Sequence, residues 1–539
     1  MTEQPARPAR RHGRPSGRRR RTALGAVFGL LLIGLIAGTG LALDREDAVP
    51  RAERTNTAAL PFDLPAAGVL RASPHKVFAH YFPPYPLSLD NQPAERDYYA
   101  RNYLTPQGEE GKHAAYGGLL RDRPLPVSPS DGDWQLANLE TEVRTARDSG
   151  IDGFTVDILS LTGANRQRVD MLLRAARRVD PGFRIVLMPD MTSLHTDPRT
   201  LADQLALLAA SPSAYRLADG RLVVSPFKAE AQDPAWWGQV TARLREHGIG
   251  TALVPVFLDF RANAERFAPV SYAFSSWGNR SYTRQDNVPG DIQLAHALGK
   301  KWMQAVSVQD ARPNQGIYDE ASNTATLRST WNHAISDGAD WVQLTTWNDY
   351  SEGSQFAPSL HNGRTYLDIC SYYLTRFKTG AWPRIVRDTV YVTSRVQFTD
   401  AGSASLQPRL MRPRPGAAQP RDQVELLTYL TAPAAVSARV GTVPHAYRAP
   451  VGVYAQDLPL TPGRTEVVIR RAGTPPRPSR PAIRRGARPR CRTFSTTRSP
   501  ADGDSADEGA DVRLSPPSRV PHRLSASRTP AVDRDPAGA

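Results

Sequence analysis

Asp349 and Glu352 are the acids best placed to do chemistry. They lie three residues apart at the end of WVQLTTWNDYSE (residues 341–352), beside Trp347, Asn348 and Tyr350. Glycoside hydrolysis needs such a pair: one carboxylic acid protonates the leaving oxygen, and the second carboxylate acts as base or nucleophile. Val342, Leu344, Thr345 and Thr346, just upstream, are apolar or β-branched and favour a strand. An apolar strand that ends in acids beside aromatics suits a parallel barrel, whose active site is built at the C-terminal ends of its strands. The structural alternative is that Asp349 caps the next element and Glu352 is a solvated surface acid.

Similar chemistry recurs at other predicted strand ends. VFAHYF (77–82) carries His80 and Tyr81, GFTVDILS (153–160) carries Asp157, and RIVLMPDM (184–191) carries Asp190. TALVPVFLDF (251–260) ends near Asp259, YAFSSWG (272–278) near Trp277, and KWMQAVSVQ (301–309) near Gln309 and Asp310. Acids and amides bond sugar hydroxyls, while Trp and Tyr stack on apolar sugar faces, so this set suits a neutral sugar. In that reading Asp349 and Glu352 are catalytic, and His80, Tyr81, Asp157, Asp190, Asp259, Trp277, Trp347 and Asn348 bind substrate.

The elements that must position these residues are legible in the patterning. With RLVVSPF (221–227) as the fourth, eight short apolar strands alternate with helical spacings such as Leu136, Leu139, Val143 and Ala146 behind an N-cap at Asp133. The closing helix is expected over 366–377. This alternation predicts an α/β fold, a (β/α)8 TIM-type barrel over 76–383. Residues 90–133 are too long for an ordinary connection and are expected to fold over the mouth as a substrate-binding loop. Beyond Pro383, DTVYVTSRVQFT, DQVELLTYL and TEVVIRR alternate without helices, which predicts a small antiparallel β domain over 384–470. Residues 471–539 are rich in Arg, Pro and Ser and are expected to be disordered.

The first 21 residues hold eight Arg against one Glu and are expected to be a basic, disordered cytoplasmic segment. Residues 22–43 carry no charge, which predicts an export signal or a transmembrane anchor. A polar linker over 44–75 follows. Everything beyond residue 43 is then secreted or held on the extracellular face, touching membrane only through 22–43. The net charge of +15 is accounted for by residues 1–21 and 470–490, so the folded part is near neutral and no nucleic-acid partner is expected. Two cysteines, Cys370 and Cys491, exclude a disulfide framework. No ligand spacing argues for a metal or other cofactor, and a monomer acting on a polysaccharide is expected.

With the motifs VFAHYF, GIDGFTVDI (150–158), MPDM (188–191) and TWNDYSEG (346–353), the segment 76–383 resembles glycoside hydrolase family 71, the α-1,3-glucanases or mutanases. TWNDYSEG also resembles the strand-eight acids of the endo-mannosidases of family 99. The first resemblance implies a (β/α)8 inverting hydrolase of α-1,3-glucan, with the family's paired acids at Asp349 and Glu352. Two alternatives are an α-mannan hydrolase like family 99 and a non-catalytic, wall-associated glycan-binding protein. A lectin has no need of the acid pair.

Overall fold

The structure, a computed structural model, describes residues 60–402 and 407–471 and the backbone of Arg477–Ser479 and Ser495–Ser499. The expected cytoplasmic segment (1–21) and export signal or anchor (22–43) lie outside these residues, as does most of the expected disordered tail.

Eight parallel strands form the barrel. They are β1 (Lys76–Tyr81), β2 (Gly153–Ile158), β3 (Arg184–Pro189), β4 (Leu222–Val224), β5 (Thr251–Leu253, resumed as Val256–Phe257), β6 (Ala273–Ser276), β7 (Lys301–Val306) and β8 (Trp341–Leu344). β1 lies between β2 and β8, and the order runs on through β7 and β6 on one side and β3 and β4 on the other. The two ends of this sheet are the two halves of β5. Thr251–Leu253 pairs with β4, and Val256–Phe257 pairs with β6. Val254 donates its N–H to Val224 O (2.8 Å), and Ser275 donates to Pro255 O (3.0 Å), so the sheet closes on itself. Pro255 has no N–H to give a ladder, which explains the interruption within β5.

Side chains alternate between the two faces of each strand. Phe78, Val186, Met188, Val223, Val254, Met303 and Trp341 form a cluster inside the barrel. Their neighbours Val77, Ala79, Tyr81, Phe154, Val156, Val342 and Leu344 join the larger core between strands and helices. The helices start where the sequence says they should: Asp133, Asp197 and Asp233 each accept a backbone N–H three residues on, the last two ahead of a proline at the first helical position. The closing helix, Thr365–Thr379, is buried on nearly every side. Near its end Lys378 Nζ lies 2.5 Å from Asp152 Oδ2, which also accepts the Val77 N–H at the foot of β1.

Two expectations change. The linker over 44–75 is structured from Leu60 onward: Leu60, Phe62 and Leu70 are buried, Ala67–Ala72 is a helix, and the Phe62 ring lies 5.1 Å from Tyr372 and 6.2 Å from Tyr429. Scattered apolar residues in a Pro- and Ala-rich stretch thus anchor a strap across the closing helix. Residues 90–133 also differ from expectation. Their Tyr99 and Leu120 pack with Tyr85 and Tyr350 in a separate aromatic cluster, and Arg123 forks onto buried Asp97. This segment braces the loop after β8 and does not line the cleft described below.

The β domain consists of two antiparallel sheets. In one, Gln423–Leu430 lies between Thr389–Ser394 and Gly452–Pro459, with Ser495–Ser499 on the far edge. In the other, Ala434–Val440 lies between Val443–Ala449 and Thr465–Arg470, with Arg477–Ser479 beyond. Two short parts of the expected disordered tail are therefore paired as strands. Val390, Val392, Val424, Leu426 and Val467 fill the space between the sheets, while Tyr391, Leu427 and Tyr429 face the barrel and belong to its core.

Candidate active site

The barrel mouth holds a cleft of about 700 Å³. Asp349, Glu352, His80, Asp157, Asp190 and Trp277 line it, so six of the ten expected site residues come together there. The acid pair sits in a tight loop after β8. Thr346 N–H donates to Ser354 O (3.0 Å), Ser354 N–H returns to Asp349 O (3.2 Å), and Asp349 N–H donates to Thr346 Oγ1 (2.8 Å). The loop turns at Gly353, whose φ is +60°. Its Glu352 carbonyl accepts the Ala311 N–H (2.6 Å), which ties it to the hairpin after β7. The Thr345–Thr346 peptide at the loop's start is cis.

The two carboxyls have different surroundings. Asp349 Oδ1 accepts from Ser351 N (3.0 Å), Ser351 Oγ (2.6 Å) and Glu352 N (3.2 Å). Burial raises its pKa, and these hydrogen bonds together with Arg312 oppose the rise. Glu352 Oε1 lies 2.8 Å from Arg312 Nη1, and its buried Oε2 has no hydrogen-bond partner among the described residues. Burial, then the Asp349 and Asp310 charges, push Glu352 up to about 8 against the pull of Arg312 and Arg280. A carboxyl that keeps its proton near neutral pH beside a well hydrogen-bonded carboxylate suits an acid and a base.

Asp157 is buried, and its Oδ1 has no hydrogen-bond partner among the described residues. Burial and three neighbouring acids, Asp190, Asp349 and Glu352, raise its pKa well above the usual carboxyl range. His80 lies 3.7 Å from it through Nε2 and 3.1 Å from Met188 Sδ through Nδ1. Burial, and then the Arg280 charge, depress its pKa to about 3, so the imidazole is neutral. Asp190 accepts from Thr192 N, Thr192 Oγ1 and Ser193 Oγ, which shapes the loop after β3. Trp277 packs edge-on against His80 (4.9 Å) and Phe227 (4.7 Å) and keeps part of its ring open to the cleft.

Four expected residues do not line the cleft. Tyr81 follows inward-facing His80 and therefore points outward, where its hydroxyl donates to Glu142 Oε2 (2.8 Å). Trp347 lies in the outer core, and its Nε1 donates to the other Glu142 oxygen (3.3 Å). Asn348 clamps the chain after β1, accepting from Phe82 N and donating to Phe82 O and Tyr85 O. Asp259 is exposed and accepts the Ala262 N–H. Conversely, Phe82, Thr192, Phe227, Arg312, Asn314, Gln315 and Ser351 line the cleft and were not anticipated. The signal for three of them was DARPNQG (310–316), a few residues past the end of β7. Among the described residues no group of three His, Cys, Asp or Glu side chains is arranged to hold a metal.

Glu142, wedged behind the site, gives a stability test. Burial raises its pKa from 4.5 to about 8 despite its bonds to Tyr81 and Trp347. Between those values the folded state holds a proton that the unfolded chain has released, so stability falls as pH rises from about 4.5 to about 8, by roughly a few kcal/mol. Glu142→Gln keeps an acceptor for Trp347 and can donate to the Tyr81 oxygen. It should flatten this slope and melt above the parent at pH 8, as read by thermal unfolding across pH.

The chain is 23% identical over 374 residues to the glucan endo-1,3-alpha-glucosidase agn1 of Schizosaccharomyces pombe, covering 63% of this chain and 85% of that protein. It is 22% identical over 367 residues to a mutanase of Penicillium rubens, covering 63% and 80% respectively. Among solved structures, the GH99 endo-alpha-mannosidase from Bacteroides thetaiotaomicron aligns with a TM-score of 0.45 at 16% identity, covering 56% of this chain and 97% of that one. The profile of glycosyl hydrolase family 71 matches residues 128–476, which takes in nearly all of the β domain as well as most of the barrel. The chain is a glycoside hydrolase and belongs to glycosyl hydrolase family 71.

Proposed function

We propose that this enzyme cleaves α-1,3-glucan with inversion, with Glu352 as general acid and Asp349 as general base. The observation that carries this reading is the acid pair in one loop at the barrel mouth, with the Glu352 pKa pushed to about 8. Glu352 gives its proton to the glycosidic oxygen as the bond from C1 breaks. Asp349 takes a proton from a water whose oxygen attacks C1 from the opposite face. Asp157, whose pKa burial and its neighbouring acids raise, bonds a hydroxyl of the cleaved sugar, and Trp277 supplies its stacking face. Relatives named as a glucan endo-1,3-alpha-glucosidase and a mutanase support this choice of linkage. Because a polysaccharide of this kind does not cross membranes, the reading also places the enzyme outside the cytoplasm, with residues 22–43 as the export signal or anchor.

The test is reducing-end release from α-1,3-glucan, α-1,4-glucan, β-1,3-glucan and α-mannan, with the anomer of the nascent product followed by NMR. We expect α-1,3-glucan to be preferred and the β-anomer to appear first. Preference for α-mannan would overturn the substrate, and first appearance of the α-anomer would overturn inversion.

A further inference from the structure

A second cavity, of about 520 Å³, opens beside the catalytic cleft and shares Trp277 and Arg312 with it. Four guanidinium groups, of Arg280, Arg284, Arg312 and Arg414, line it against two carboxylates, Asp310 and Asp319. Both acids are already engaged. Asp310, fully buried, takes Arg312 through Nε (2.8 Å) and Nη2 (2.8 Å), with Arg414 at 3.5 Å and Arg280 at 3.8 Å. Asp319 Oδ2 takes Arg414 Nε at 2.7 Å. The lining therefore carries two more positive than negative charges.

Arg280 is the telling residue. Its side chain is only 4% exposed. Nη1 donates to Trp277 O, Ser307 Oγ and Thr345 Oγ1, but among the described residues Nε and Nη2 have no hydrogen-bond partner. Asp319 Oδ1, also buried, has none either. Arg284, at the exposed rim, donates to Pro415 O (3.3 Å). Unpaired buried donors on a cation are costly, and a guanidinium fork matches the oxygens of a carboxylate or phosphate. The unpaired acceptor of Asp319 suits a hydroxyl on the same ligand.

We propose that this cavity is an oxyanion site, which takes a carboxylate or phosphate group next to the sugar held on Trp277. Its use during hydrolysis rests on the catalytic reading above, and the enzyme would then accept glucan bearing acidic substituents beside the cleaved linkage. The binding itself does not depend on which linkage is cut. Two sources present the same chemistry, an acidic sugar unit and a free inorganic anion.

The experiment is calorimetric titration of the full chain with glucose, glucose 6-phosphate, glucuronate and inorganic phosphate at low salt. Glucose 6-phosphate and glucuronate should bind at least about tenfold more tightly than glucose, as expected for added charge-assisted hydrogen bonds, and the advantage should shrink in about 1 M salt. Arg284→Gln, at the rim, and Arg414→Gln should each remove most of that advantage, with thermal unfolding as the folding check. Phosphate binding as tightly as the sugar acids assigns the site to free oxyanions; much weaker phosphate assigns it to acidic sugars. If none of the three anions binds better than glucose, or if neither substitution alters their binding, the proposal fails, whatever the enzyme's activity on α-1,3-glucan.

Discussion

Asp349→Asn and Glu352→Gln should each lower the hydrolysis rate by about 10²–10⁴-fold while leaving the melting temperature and glucan binding near those of the parent. Both changes keep side-chain shape and remove one ionisable group. The double variant should be little worse than either single one, because losing either partner already disables the paired step. Asp157→Ala should behave differently, raising KM and lowering kcat together, because it removes a hydrogen-bonding contact to the sugar. The pH profile carries a separate signature. With Glu352 raised to about 8, kcat/KM should decline above about pH 8 as the acid loses its proton. Arg312 pulls that value down, so Arg312→Gln should move the limb to higher pH. Initial rates on α-1,3-glucan across pH measure all of this. A folded Asp349→Asn or Glu352→Gln with near-parental activity would remove that residue from the pair.

How far the site could be read from the chain is a matter of strand parity. Taking His80 as inward-facing, the alternation of β1 already sends Tyr81 outward. Likewise Asp157 faces in because Phe154, Val156 and Ile158 face out. Applying period two would have excluded Tyr81 and kept Asp157. Trp347 and Asn348 lie past the end of β8, where parity no longer holds and a tight loop decides direction. Their hydrogen bonds to Glu142 and to the chain after β1 are long-range contacts, which no local pattern encodes. Arg312 was hidden for the same reason. Its role depends on a hairpin that folds back until the Ala311 N–H meets Glu352 O. The barrel itself was legible because each strand is a short apolar run followed by an amphipathic helix. The β domain was legible as strands, but its outward alternation hid the fact that Tyr391, Leu427 and Tyr429 point at the barrel.

That last contact makes the β domain part of the fold. A chain ending at Pro383 should fail to give a soluble, cooperatively melting barrel. Tyr391, Leu427 and Tyr429 are fully buried within the barrel's own core, with the Tyr429 ring 5.1 Å from Tyr372 on the closing helix. Fully burying one such side chain is worth about 1.5–3 kcal/mol, against a total stability of about 5–15 kcal/mol. Truncation also strips partners from the barrel's charges. Glu320, 3% exposed, pairs with Arg395 at 2.8 Å, and Arg328 pairs with buried Glu425 at 2.8 Å. Leaving Glu320 buried without its cation costs about 3–5 kcal/mol more. The closing helix would then lose the Tyr429 ring that covers Tyr372, opening an apolar patch of the kind that aggregates. Tyr429→Ala in the full chain is the gentler form of the test, expected to cost about 3–5 kcal/mol. Denaturant unfolding measures the point variant, and size-exclusion chromatography with thermal unfolding measures the truncation. A monomeric chain ending at Pro383 that melts within a few degrees of the full protein would mean that the barrel folds without its β domain.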